Sequence, residues 1–271
     1  MIHLSAFLFY IGAFVLWVIL LVRGSRGAAA LVASALTGAA VALHGLALVD
    51  YWRTYQELPL EGMGAALSSL AFVGGLALVA VLPLKDVGRV AIVLLPVVLV
   101  LQGAAVGFGV QPAAVPSGTD FQGAGFVVHV ALAFLGIQGL ALAFAAGVLY
   151  LVQHHELKEK RLGRLFVFIP ALATLERVGR IGLWVGFVSL SLALVVGWAW
   201  TVQNRGSLEF SDPKVIWAVL SWIVFVGIFG ARWTRGGTEY RGALAQVVGF
   251  GVVIGTYVAL RITIGGAGMF L

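Results

Sequence analysis

Eight long apolar stretches, separated by short polar segments, limit the folds that this chain can adopt. They cover roughly residues 4–22, 28–49, 63–84, 90–109, 125–152, 181–201, 214–232 and 242–264. Each is close to the roughly 20 residues that an α-helix needs to cross a bilayer. Backbone polar groups in lipid need internal partners, and no stretch has the alternation of a barrel strand. The sequence therefore predicts an all-α polytopic membrane bundle of about eight transmembrane helices, forming a single transmembrane domain over residues 1–271.

The composition agrees with a membrane protein and excludes several other classes. Of 271 residues, 61% are hydrophobic and 10% are charged, which is more apolar surface than a soluble domain can bury. The 36 glycines suit close contact between helices in a bilayer. GxxxG spacing occurs at Gly103/Gly107, Gly182/Gly186 and Gly251/Gly255. The absence of cysteine excludes thiolate metal sites. The net charge of +6 is spread over short loops, so no nucleic-acid interface is predicted.

Lysines and arginines are divided unequally between the two sides of the predicted bundle. Thirteen fall in one set of loops: Arg23, Arg26, Lys85, Arg89, Lys158, Lys160, Arg161, Arg164, Arg177, Arg180, Arg232, Arg235 and Arg241. Four fall on the other side: Arg53, Arg205, Lys214 and Arg261. Because basic loops stay in the cytoplasm, this division predicts a bacterial inner-membrane protein with both termini on the outer face.

A basic segment follows the fifth apolar stretch on the predicted inner side. Residues 157–180 are basic first and then apolar at helical spacing, with Pro170 between the two parts. This pattern predicts an amphipathic helix that lies on the inner leaflet and is interrupted at Pro170. Its first basic residues are predicted to contact anionic lipid headgroups or a soluble partner: Lys158, Lys160, Arg161 and Arg164.

Two histidines inside predicted spans are the main candidates for chemistry. His44 and His129 both lie toward the outer side, at similar depth, and ionisable residues inside a membrane are costly enough to suggest a function. Their neighbours one and two helical turns away on the same face are small: Ala40 and Thr37 for His44, and Ala133 and Gly136 for His129. Small neighbours leave room for a flat macrocycle, and neutral imidazole is a common ligand of haem iron. The alternative is that each histidine hydrogen-bonds a neighbouring helix. His3 is expected to be frayed and without a role.

A more specific set of motifs lies in the second half of the chain. In chain order it contains His-Val-Ala-Leu-Ala-Phe-Leu-Gly from His129, Gly-Val-Leu-Tyr-Leu from Gly147, Ile-Pro-Ala-Leu from Ile169, Asp212-Pro213-Lys214, Trp217 and Trp222. This order resembles the cytochrome c assembly protein family, meaning the haem-handling CcsA/CcmC group, and within it the HemX-like branch. The resemblance covers residues 125–264, with residues 1–124 forming four N-terminal spans.

The resemblance implies a membrane protein that binds or passes haem for cytochrome c maturation or haem homeostasis and is not an enzyme. The implied cofactor is haem b, and the implied partners include the cytochrome c assembly machinery. His129 matches the family's first outer histidine and would ligate iron, with His44 as second ligand or relay. Three basic residues would pair with the haem propionates: Arg53, Lys214 and Arg261. No histidine follows the last span, where the family has its second outer histidine.

Two other functions remain open at this point. The HemX-like branch implies a membrane regulator or anchor of glutamyl-tRNA reductase, which would act through the basic inner segment. A small-solute transporter is the third alternative, and the absence of acidic residues inside the predicted spans argues against ion coupling.

Overall fold

The computed structural model describes residues 1–23, 27–83, 87–112, 123–160, 163–207, 210–233 and 239–264. This part of the chain contains nine α-helices, one short 3₁₀ turn at Val87–Val90 and no strand. The helices are α1 (Ile2–Arg23), α2 (Ala28–Tyr55), α3 (Met63–Val81), α4 (Ala91–Phe108), α5 (Ala124–Lys158), α6 (Arg164–Phe168), α7 (Leu172–Arg205), α8 (Pro213–Trp233) and α9 (Glu239–Ile264).

The predicted membrane bundle is confirmed. Among the described helices, α1 to α5, α7 and α9 are each long and apolar enough to cross a membrane, and α8 carries a shorter apolar stretch, Val215–Ala231. The fifth helix is the longest, with 35 residues and a length of about 52 Å. The hydrocarbon core of a bilayer is about 30 Å thick, so α5 is longer than the core and extends beyond it. The extension carries Lys158 to the exposed end of the bundle.

The segment that follows α5 differs from its predicted form. In place of a separate helix on the membrane surface, α6 is only five residues long, and residues 172–180 form the beginning of α7. Ile169 is extended because the ring of Pro170 disfavours a helical conformation before it. The apolar residues of the segment pack into the bundle core: Phe168, Ile169, Leu175 and Val178. Their helical periodicity therefore reflects a core-facing side, and the surface-helix prediction is wrong here.

The first two helices pair through a regular seam. The buried residues of α1 are Ala6, Tyr10, Ala13, Trp17 and Leu20, and those of α2 include Ala33, Thr37, Ala40, His44 and Ala47. The spacing alternates between three and four residues on both helices, which is the pattern of a coiled-coil seam. Two polar pairs lie one heptad apart along it: Tyr10 with His44, and Trp17 with Thr37, whose Nε1–Oγ1 distance is 3.2 Å.

Glycines bring α5 and α7 into backbone contact. A Cβ atom on Gly139 would lie 2.5 Å from the Cα of Gly186 and 2.6 Å from the carbonyl oxygen of Gly182. The Gly182/Gly186 pair is thus a packing motif of the kind that lets membrane helices approach closely. The Gly251/Gly255 pair faces open space, so the same spacing has no such role on α9. Helix α5 contributes to both core clusters and so joins α1–α4 to α7–α9.

Candidate functional site

The His129 side chain lies against α7, near the end of the bundle where α5 begins. Its Nδ1 atom is 2.8 Å from the carbonyl oxygen of Ala193. A carbonyl oxygen only accepts hydrogen bonds, so Nδ1 carries the proton and donates it. In a neutral imidazole the other ring nitrogen, Nε2, then holds a free lone pair. No described residue forms a hydrogen bond to Nε2. His129 therefore presents one nitrogen that can ligate a metal.

The α7 backbone determines where this ring sits. A Cβ atom on Gly197 would lie 2.5 Å from Nδ1 and 2.6 Å from Cε1 of His129, so only glycine leaves the ring this space. One turn further along α7, Trp200 lies against Gly125 and stands 5.7 Å from the Phe126 ring. The imidazole is half-buried between the two helices. It is therefore held in one orientation while keeping one side accessible.

The small neighbours of His129 were predicted to leave room for a macrocycle, but Gly136 has a different role. A Cβ atom on Gly136 would lie 3.0 Å from the Cβ of Leu190 and 3.3 Å from the carbonyl oxygen of Gly186. Gly136 thus allows α7 to approach and is not available to a macrocycle. Ala133 is half-buried, one turn from the histidine.

The His44 ring is fully enclosed between α1 and α3. It has an exposed fraction of 0%, and Phe72 contacts it edge-on at a centroid distance of 5.4 Å. Its Nδ1 atom is 3.3 Å from the Tyr10 hydroxyl, and its Nε2 atom is 2.9 Å from the Ser68 hydroxyl. Both ring nitrogens are thus engaged by protein groups.

One amide determines the direction of every hydrogen bond in this network. Gln102 donates from Nε2 to the carbonyl oxygen of His3 at 3.3 Å, so its Oε1 atom is the acceptor for the Ser68 hydroxyl at 3.2 Å. The Ser68 hydroxyl donates its only proton to Gln102. It therefore accepts hydrogen bonds from His44 Nε2 and from His3 Nδ1, which is 3.2 Å away. His44 Nδ1 is then unprotonated and accepts from Tyr10. All these polar groups are satisfied.

The network matches the alternative in which His44 hydrogen-bonds its neighbours. A lone pair for iron would require His44 to give up the Tyr10 bond, or to change tautomer and break the bond to Ser68. Its role as second ligand or relay thus stays a prediction without a supporting contact. The expectation of a frayed His3 is wrong, because His3 lies in α1 and bonds Ser68 and Gln102. A polar residue buried among apolar ones needs a partner, which is the one signal that could have pointed to Ser68 and Gln102.

The predicted basic residues lie at the two ends of the bundle. Arg53 is exposed near the end of α2, at the same end as His129. Lys214 belongs to α8 and Arg261 to α9, but their side chains are not among those that the structure describes. At the opposite end Lys158 and Lys160 are exposed. Residue Arg161 and the side chain of Arg164 lie outside the part of the chain that the structure describes.

The described residues fit haem better than a metal ion held by protein alone. Within the described ranges, no three His, Cys, Asp or Glu side chains come together as a metal site. A haem iron already has four porphyrin nitrogens and needs only one or two protein ligands. His129 has the free nitrogen and the fixed tautomer that such a ligand requires, whereas His44 has neither a free nitrogen nor an open face.

Comparison with known proteins identifies the family. The family model "Cytochrome C assembly protein" matches residues 1–266, which extends the predicted resemblance into α1–α4. Relatives named "Cytochrome c biogenesis protein CcsA" include one from Synechococcus elongatus, 36% identical over 89 residues, which are 33% of this chain and 27% of the relative. Another, from Guillardia theta, is 28% identical over 142 residues, 47% of each protein. The chain thus aligns with about a quarter to a half of these relatives' lengths, and neither name identifies the HemX-like branch. The chain is a multi-pass membrane protein that belongs to the cytochrome c assembly protein family.

Proposed function

We propose that the protein binds haem b non-covalently in the membrane and handles it during cytochrome c maturation, without catalysing covalent chemistry itself. The observation that carries this proposal is the environment of His129. Metal-ligating histidines usually donate their second ring N–H to a carbonyl or carboxylate, which fixes the tautomer and orients the ring. His129 has this arrangement through the Ala193 carbonyl, and its Nε2 would be the axial ligand. The names of the CcsA relatives agree with this role.

The propionates of haem would be held at the same end of the bundle. When bound, haem supplies an iron that accepts an imidazole nitrogen and two carboxylates that need cations. Arg53 is exposed at that end, and Lys214 and Arg261 belong to helix ends on the same predicted side. Charged pairs of this kind are stronger than neutral hydrogen bonds. We assign these three residues to the propionates as part of the proposal.

The basic inner segment is proposed to contact anionic lipid headgroups. Lys158 and Lys160 are exposed just after α5, and Arg161 and Arg164 follow in sequence. Each basic side chain near an anionic surface adds about 1 kcal/mol of attraction. The relatives give no support to the alternative role as a regulator of glutamyl-tRNA reductase, since they are named for cytochrome c biogenesis.

The proposed orientation places haem binding on the outer face of the inner membrane, and cysteine labelling tests it. The chain has no cysteine, and both Ser207 and Lys160 are exposed. In intact cells, a membrane-impermeant maleimide is expected to label Ser207→Cys and to leave Lys160→Cys unlabelled until the membrane is opened. The reverse pattern would contradict the orientation that is inferred from the thirteen-to-four charge division.

Haem that co-purifies with the protein tests the proposed function. The protein purified from haem-supplied cells is expected to carry haem b that acidified acetone extracts completely, because no covalent bond to haem is proposed. A Lys158→Glu/Lys160→Glu variant is the matched control, since its changes lie at the opposite end from His129. It should retain the haem. Purified protein without haem, or haem lost in this control variant while the fold persists, would contradict the proposed site.

A further inference from the structure

We propose that Gly197 is a positioning residue, whose missing side chain lets the α7 backbone orient the His129 imidazole for iron. The proposal rests on the proposed function and adds a second residue to the same site. The partner that His129 uses is a main-chain carbonyl, that of Ala193, so a substitution at 193 leaves the partner atom in place. The residue that controls access to this carbonyl is one turn away, at 197. Its Cβ position is occupied by the imidazole ring itself.

The helix cannot withdraw to make room for a side chain at 197. The Cβ of an alanine would lie 2.5 Å from Nδ1 and 2.6 Å from Cε1, closer than any normal contact. Helix α7 is held against α5 by backbone contacts of Gly139 with Gly182 and Gly186. The imidazole is only half-buried, so the ring is the part that moves. Alanine at this position therefore displaces His129 and leaves the helix pair in place.

Displacement of the ring removes the hydrogen bond that sets the tautomer. Without the Ala193 carbonyl, the proton is no longer restricted to Nδ1, and the Nε2 lone pair is no longer held in one direction. Loss of such a partner typically weakens metal binding about 10- to 100-fold. We expect haem affinity to fall by this factor in Gly197→Ala, with a smaller loss than removal of His129 itself.

A purely structural role for Gly197 would give different results in two measurements. The first measurement needs no haem. It records the nitrogen chemical shifts of ¹⁵N-histidine in the haem-free protein, and the His129 signals are assigned from their absence in His129→Ala. Wild-type protein should show His129 protonated at Nδ1, and Gly197→Ala should show a mixture of tautomers. The second is a haem titration, in which Gly197→Ala should bind haem about 10- to 100-fold more weakly than the wild type.

Gly251→Ala is the matched control, because a Cβ atom there has nothing within 4 Å. It should leave the tautomer and the haem affinity unchanged. A double-mutant cycle covers any loss of stability: in the His129→Ala background the new methyl group meets no ring, so its effect on the Tm should disappear. An unchanged His129 tautomer in Gly197→Ala, or an equal Tm loss in both backgrounds, would overturn the positioning role. If wild-type protein has the Nδ1–H tautomer but binds no haem, the proposed function fails and the orientation of the ring by α7 stands.

Discussion

Haem binding is expected to be lost in His129→Ala, with affinity reduced by more than about 100-fold. This bound follows because loss of only the hydrogen-bond partner of a metal ligand costs about 10- to 100-fold. The variant should fold, since alanine is the best helix former and the lost bond to Ala193 is worth about 1 kcal/mol. The measurement is a titration of the purified variant with ferric haem in nanodiscs, followed through the Soret band. Added imidazole should restore the band by entering the space left by the side chain.

Two other histidines provide controls for this result. His155 is on the same helix, exposed at its opposite end, so His155→Ala should bind haem like the wild type. His44→Gln keeps a side chain that can hydrogen-bond Tyr10 and Ser68 but removes the imidazole. Because both nitrogens of His44 are already engaged, we expect this variant to bind haem as well. If His44→Gln lost haem while His129→Ala retained it, the assignment of the ligand to α5 would be wrong.

A large loss of stability is expected from an alanine at Gly139. Its methyl group would meet the backbone of Gly182 and Gly186 at 2.5–2.6 Å. Backbone atoms cannot rotate away as a side chain does, so the α5–α7 pair would have to separate along its length. Overpacking of a well-filled interior costs about 1–3 kcal/mol and occasionally more, and we expect the upper end of this range. The measurement is the Tm of the protein in detergent.

The control for Gly139 uses the same substitution where space is open. Gly251→Ala also lies in a GxxxG pair, but its added methyl group meets no atom within 4 Å. It should leave the Tm unchanged or raise it slightly, because alanine is a better helix former than glycine. Equal Tm values for the two variants would show that the α5–α7 contact is looser than the one described.

The membrane spans could be predicted from the sequence because hydrophobic length alone decides them. Each predicted stretch corresponds to one helix. The helix ends differ most at the ends of α2 and α5, which polar residues extend beyond the apolar part, and at the beginning of α7, which starts at Leu172. The segment around Pro170 shows the limit of this reasoning. A row of apolar residues at helical spacing is the same whether it faces headgroups or the protein core. Only the packing of Phe168 and Leu175 decides between the two.

The candidate site could be predicted only in part, for a related reason. His44 and His129 have similar depth and similar small neighbours, so the sequence treats them alike. The difference arises from residues distant in the chain: Ser68 and Tyr10 for His44, and the Ala193 carbonyl for His129. A backbone acceptor has no sequence signal, because every residue has a carbonyl group. The family motifs are the one sequence signal that distinguishes the two histidines, since they include His129 and leave His44 out.

The proposed function depends on the claim that His129 offers a free, oriented nitrogen to haem iron. This claim can be tested by titration of haem-free wild-type protein with ferric haem in nanodiscs. We expect a Soret band that differs from that of haem in empty nanodiscs and saturates near one haem per chain. A spectrum that matches haem in empty nanodiscs at every ratio would contradict the claim.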